Sequence, residues 1–150
     1  MTNWDAAMDE ALALAVRASA VHDVPVGAVV VDTTGEVIGR GFNQREASHD
    51  PTAHAEVLAL REAAERIGSW RLDGCTLVVT LEPCLMCAGA ALQARIPRIV
   101  LGAWDAKAGA TGSQWDVVRD ARIGSKVEVI AGVRADACAA LLRSFFEARR

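Results

Sequence analysis

Three short stretches of this 150-residue sequence could do chemistry together: His54-Ala55-Glu56, Glu82-Pro83-Cys84 and Cys84-Leu85-Met86-Cys87. Zinc favours cysteine thiolate and histidine imidazole in a tetrahedral set. Cys84 and Cys87 are three apart, so on a helix they share a face. Pro83 opens the predicted helix and puts both cysteines in its first turn, where unpaired N–H groups and the helix dipole favour thiolates. By itself, the CxxC pair also fits a redox dithiol. Cys75 and Cys138 are isolated, so no second CxxC exists to close a four-cysteine structural site. His54 supplies a third ligand, and three protein ligands leave the open position of a catalytic zinc.

Glu56 is two residues after His54, so on a regular helix it faces elsewhere. This separates it from the two-ligand face of HExxH proteases and places it beside a metal rather than on it. Zinc makes an activated water available at neutral pH, and a neighbouring carboxylate can carry its protons. The bland alternative is a solvated helix carboxylate paired at i,i+4, but Leu60 holds that position. A redox dithiol would need neither His54 nor Glu56.

The elements that must position these groups follow from periodicity. Residues 3–20 read as an amphipathic helix, 26–32 and 36–43 as a hairpin, and 44–50 as a polar loop. Asp50-Pro51 reads as a helix start, with the helix running to about Arg66 and Gly68. Strands are predicted at 75–81, 98–103 and 126–131. Helices are predicted from Cys84 to about Ala94, near 115–120, and over 134–149. A Gly-rich loop spans 104–114, where Gly109 and Gly112 would allow positive φ or close approach to a ligand. This alternation implies one α/β domain over 1–150, three-layer α-β-α with a mixed five-stranded sheet. Phe145 and Phe146 read as core, His22 and His49 as structural. The small residues 88–91 would let another backbone approach, as at a subunit interface.

A hydrophobic fraction of 52% suffices for a core without disulfides. No apolar run reaches membrane-spanning length, and Met1–Glu10 lacks a basic signal-like start. Free cysteines then suggest the reducing cytoplasm. The net charge of −3 gives no overall nucleic-acid footprint, although Arg143, Arg149 and Arg150 form a basic end.

The pattern H-x-E … P-C-x-x-C is the signature of zinc nucleobase deaminases. The chain resembles, within that class, bacterial tRNA-specific adenosine deaminases of the TadA type. The resembling segments are VPVGAVVV (24–31), GFNQ (41–44), HDPTAHAEVLALR (49–61), TLVVTLEPCLMCAGA (76–90), GAWDAKAGATGS (102–113) and ADACAALLRSFFEARR (135–150). The resemblance implies a cytidine deaminase-like fold and one Zn2+ per subunit, held by His54, Cys84 and Cys87, with Glu56 as proton shuttle. It implies that Asn43 and the Ala55 N–H contact the target base. Asp105 and Lys107 would lie against the anticodon ribose-phosphate, and Phe146, Arg149 and Arg150 would contact RNA. It further implies a homodimer acting on a tRNA anticodon stem-loop, converting wobble adenosine to inosine. Trp70 and Trp104 depart from residues common in that family, and the sequence stops at Arg150 without a basic tail. Two alternatives stay open: a guanine, cytosine or cytidine deaminase acting on free bases or nucleosides, and a non-catalytic zinc module that binds RNA.

Overall fold

The computed structural model describes residues 3–124 and 126–150. Helix α1 (Asp5–Ala20) buries Met8, Ala11, Leu14, Ala15 and Ala18 along one stripe, as the helical period requires. Strands β1 (Gly27–Val31) and β2 (Val37–Phe42) form the expected hairpin. Asp32 Oδ1 accepts the N–H groups of Thr34 and Glu36 inside its turn. Strands β3 (Thr76–Leu81), β4 (Arg98–Ala103) and β5 (Glu128–Ile130) complete a sheet of order β2-β1-β3-β4-β5. β1 runs antiparallel to β2 and β3, whereas β3, β4 and β5 are parallel. The sheet is therefore mixed and five-stranded.

Alternation along the strands divides the core between two faces. Val29, Val31, Val78 and Val100 pack with Met8, Ala11 and Leu14 of α1 and with Cys138 of helix α5 (Ala135–Glu147). Val30, Leu77, Val79, Ile99 and Leu101 pack on the opposite face. Their partners are Ala55, Ala59 and Leu60 of helix α3 (Ala55–Ile67) and Ala88 and Ala91 of helix α4 (Leu85–Gln93). Helices on both faces make the three layers. The strand directions bring the ends of β2, β3 and β4 and the start of β1 to one edge.

Several boundaries differ from the sequence reading. The 44–50 segment contains a short helix, α2 (Arg45–Ser48). α3 starts at Ala55 rather than Pro51. The Asp50 carboxylate instead accepts the N–H and hydroxyl of Thr52, which closes a local turn four residues upstream. α4 starts at Leu85, one residue after Cys84. No helix forms near 115–120, because the chain folds back: Gly112 N–H donates to the Trp115 carbonyl and Val117 N–H to that of Ala110. Ala88 and Ala91 pack into the core of their own chain, leaving Gly89 and Ala90 half-buried. Phe145 is buried, but Phe146 is 49% exposed and is not core.

α3 crosses β2 at backbone contact. A Cβ at Gly41 would run into the Ala55 carbonyl, and one at Gly39 into that of Ala59. Gly41→Ala should push the start of α3 off the sheet and cost about 2–3 kcal/mol. Thermal unfolding should show a Tm drop of roughly 5–10 °C, and zinc affinity should fall because His54 and Glu56 begin that helix.

Candidate metal centre

Two helix starts meet at the sheet edge. His54 is the residue before α3, with extended backbone at φ −79° and ψ 150°. Cys84 is the residue before α4, at φ −75° and ψ 178°. These are N-cap positions, yet neither side chain caps its helix. Both side chains are thus free to face each other. Cys87 lies in the first turn of α4, fully buried.

His54 Nδ1 is 3.7 Å from Cys84 Sγ and 3.5 Å from Cys87 Sγ. Tetrahedral zinc, with bonds of about 2.3 Å to sulfur and 2.0–2.1 Å to nitrogen, separates those atoms by about 3.6 Å. The three donor atoms all lie within 4.8 Å of one another, the one such group of three among the described residues. They fit a single zinc ion. Their protonation already leans that way. Hydrogen bonding from Cys87, and then from His54, lowers the Cys84 thiol to about 3. The Cys84 thiolate raises His54. Cys87 is pushed up by its bond to Cys84 and by burial, so it keeps the shared proton until a metal displaces it.

Glu56 is 4% exposed and outside the ligand group. Burial raises its carboxyl to about 7, with the Cys84 thiolate adding to the shift and His54 opposing it. A group poised near neutrality can both take and return a proton. Asn43, just past β2, ties the site together. Its Nδ2 donates to the Val24 carbonyl at 3.1 Å, and its Oδ1 accepts the Ala55 N–H at 2.9 Å. In this structure the Ala55 N–H is therefore held by Asn43. Asn43 retains one amide hydrogen and one lone pair.

A cleft of about 170 Å³ opens over these groups, walled by Asn43, Arg45, His54, Glu56, Cys84 and Asp105. Asp105 therefore reaches the site, while its carboxylate accepts the N–H groups of Lys107 and Ala108. Lys107 is exposed beside it and does not line the cleft. Phe146, Arg149 and Arg150 are exposed at the end of α5 and do not line it either. Arg149 instead stacks over Phe145, 3.5 Å from the ring centroid.

Glu82 enters the sequence reading only as part of the Glu82-Pro83-Cys84 stretch, with no role of its own. It is 2% exposed and also lines the cleft. Its oxygens accept the N–H groups of Asp105, Thr111 and Ser113 at 2.9–3.0 Å. They also accept the hydroxyls of Thr111 and Ser113. One carboxylate thereby holds the whole 105–113 loop. Gly109 lacks a Cβ because that atom would strike the Glu82 carboxylate, so this glycine makes room for Glu82 rather than for a ligand. Gly112 has φ +146°, a conformation open to glycine. The available signal was an acid directly ending a buried apolar strand, which must find donors.

Residues 1–103 match the cytidine and deoxycytidylate deaminase zinc-binding region. The chain belongs to that family. It is 49% identical over 143 residues to a tRNA-specific adenosine deaminase of Haemophilus influenzae, covering 95% of this chain and 83% of the relative. A solved structure from studies of A-to-I editing by tRNA:A34 deaminases at the wobble position superposes with a TM-score of 0.87 at 40% identity, covering 91% and 99%. The structure of a guanine deaminase from Nitrosomonas europaea superposes at 0.83 with 28% identity, covering 97% and 85%. The deaminase fold, the zinc site and hydrolytic deaminase chemistry follow from this membership.

Cys87→Ala should abolish stoichiometric zinc in the purified deaminase and lower its Tm, read by metal analysis and calorimetry. Chelation of the wild type should lower Tm similarly. Zinc retained at one per chain would contradict the ligand set. Glu82→Gln places an amide against three N–H donors. Amide exchange at Asp105, Thr111 and Ser113 should accelerate roughly 10- to 100-fold, with zinc content unchanged.

Proposed function

We propose that this chain is a single-domain tRNA adenosine deaminase that converts the wobble adenosine of an anticodon stem-loop to inosine. The observation that carries the reading is the buried Glu56 beside, and outside, a three-ligand zinc set. A structural zinc site has no use for such a carboxylate. The choice of substrate rests on relatedness: 49% and 40% identity to the tRNA deaminases against 28% to the guanine deaminase.

His54, Cys84 and Cys87 would hold the zinc ion, which would supply Lewis acidity and an activated water at neutral pH. Glu56 accepts a proton from the attacking water and delivers it to the ring nitrogen of the base; it then takes the second proton, from the newly formed hydroxyl, and passes it to the departing amine, which leaves as ammonia. Asn43 orients the base with its remaining amide hydrogen and lone pair. The 105–113 loop, pinned by Glu82, forms the opposite wall. The cleft accommodates a base swung out of its strand, a small cost in an unpaired anticodon loop. Lys107 and the exposed Phe146, Arg149 and Arg150 are the proposed outer RNA contacts.

A homodimer is part of the same reading. A groove of about 460 Å³ between α3 and α4 is lined by Val57, Leu60, Ala64, Ala90, Ala94 and the exposed Trp70. Leu85 and Met86 are exposed on the same helix α4. An apolar surface of this kind suits a second copy. No described helix is long and apolar enough to cross a membrane, and a cytoplasmic enzyme is the corresponding proposal.

The test is ammonia release and inosine detection on an adenosine-wobble stem-loop, its guanosine counterpart, free adenosine, cytidine, cytosine and guanine. The adenosine stem-loop should turn over. Glu56→Ala should keep zinc and lose on the order of 100- to 10,000-fold in rate. Turnover of free guanine alone would replace this reading with the guanine deaminase one. Silence on every substrate with zinc bound would favour a binding module.

A further inference from the structure

Arg45 begins the short helix α2 and forms part of the cleft wall together with His54, Glu56 and Cys84. Its guanidinium is held from behind. Nε and Nη2 donate to Asp23 Oδ1 at 3.1 and 2.8 Å. The Asp23 side chain is completely buried, whereas that of Arg45 is 38% exposed. Asp23 also accepts the N–H groups of Val24 and Glu46. Burial raises the Asp23 carboxyl, but the guanidinium and those two N–H groups outweigh it and hold the acid below its ordinary value. Asp23 is therefore a fixed anion held by four donor bonds, three to Oδ1 and one to Oδ2.

Burying a carboxylate is costly unless its partners are well placed. Here the burial fixes the direction of an arginine that remains open to solvent. Arg45 Nη1 donates to no other group among the described residues. The neighbouring acid on the cleft wall, Asp105, is occupied by its own loop N–H groups. A planar guanidinium with one edge free and its long axis fixed suits a phosphate oxygen. The cleft, at about 170 Å³, takes a base and leaves the sugar-phosphate strand at the rim, where Arg45 stands.

We propose that Arg45, braced by buried Asp23, binds a backbone phosphate next to the target nucleotide. This rests on the nucleic-acid substrate proposed above. It gives an acidic chain one oriented cation at the mouth of its site, in place of an overall basic surface.

The test uses zinc-loaded full-length protein carrying Glu56→Ala, which prevents turnover, and a fluorescent adenosine-wobble stem-loop. Anisotropy gives affinity across a salt series, with single methylphosphonate linkages placed on either side of the target adenosine. In the parent, one neutral linkage should weaken binding roughly 10- to 100-fold. Added Arg45→Ala should weaken the all-phosphate probe comparably, remove the sensitivity to that linkage, and reduce the salt slope by about one. Arg45→Ala leaves Asp23 buried without its partner, so the Asp23→Asn/Arg45→Ala pair is measured alongside it and carries the test if the single variant does not fold. Unchanged affinity and salt slope in the folded variant would overturn the phosphate contact, as would a retained sensitivity at the same linkage. A parent that does not bind the stem-loop at all would overturn the RNA reading and this contact with it.

Discussion

The site depends on two helix N-termini meeting at one sheet edge with their capping side chains withheld. His54 and Cys84 occupy the positions where serine, threonine or aspartate ordinarily satisfy the first N–H groups. Both turn away from that duty. The positive ends of α3 and α4 then lie beside the sulfurs, and such a field favours thiolate. Asn43 closes the arrangement by accepting the Ala55 N–H while donating to Val24. Position and charge are therefore set by the same backbone geometry.

Two buried carboxylates, Glu56 and Glu82, line the cleft and a third, Asp23, stands behind its Arg45 wall; their partners give them different fates. Glu56 has few donors, so burial dominates and its carboxyl rises to about 7. Glu82 has five donors from one loop and acts as that loop's anchor. Asp23 has a guanidinium and two N–H groups, and stays below its ordinary value. For Glu56 and Asp23 desolvation penalises the charged form, and the donor set decides how far it is offset. Only the group left short of donors is suited to moving protons. The other two shape the walls.

The close approach of α3 to β2 connects these local features to the fold. Gly39 and Gly41 let the helix lie on the strand at backbone contact. The helix start, and with it His54 and Glu56, is then positioned by the sheet rather than by side-chain packing that could relax. α4 obtains the same precision from following β3 through Glu82 and Pro83.

Much was legible in the chain itself. Helical and strand periods located the main elements, because apolar residues recur at the spacing each element buries. Metal chemistry was legible because few residue types bind zinc, and His54, Cys84 and Cys87 leave a catalytic vacancy in a four-coordinate ion. Local signals failed where tertiary contacts overrode them. Asp50-Pro51 looks like a helix start, but its carboxylate closes a turn on Thr52 and delays α3 until Ala55. Residues 115–120 fold back on 109–112 instead of forming a helix. The roles of Glu82, Asp23 and Arg45 were invisible in sequence, because their partners lie about 20 to 30 positions away and meet only when β2, β3 and β4 end at one edge. The sequence determined which atoms were available for chemistry. The tertiary structure decided which carboxylates received donors, and that decision follows from long-range contacts no local pattern encodes.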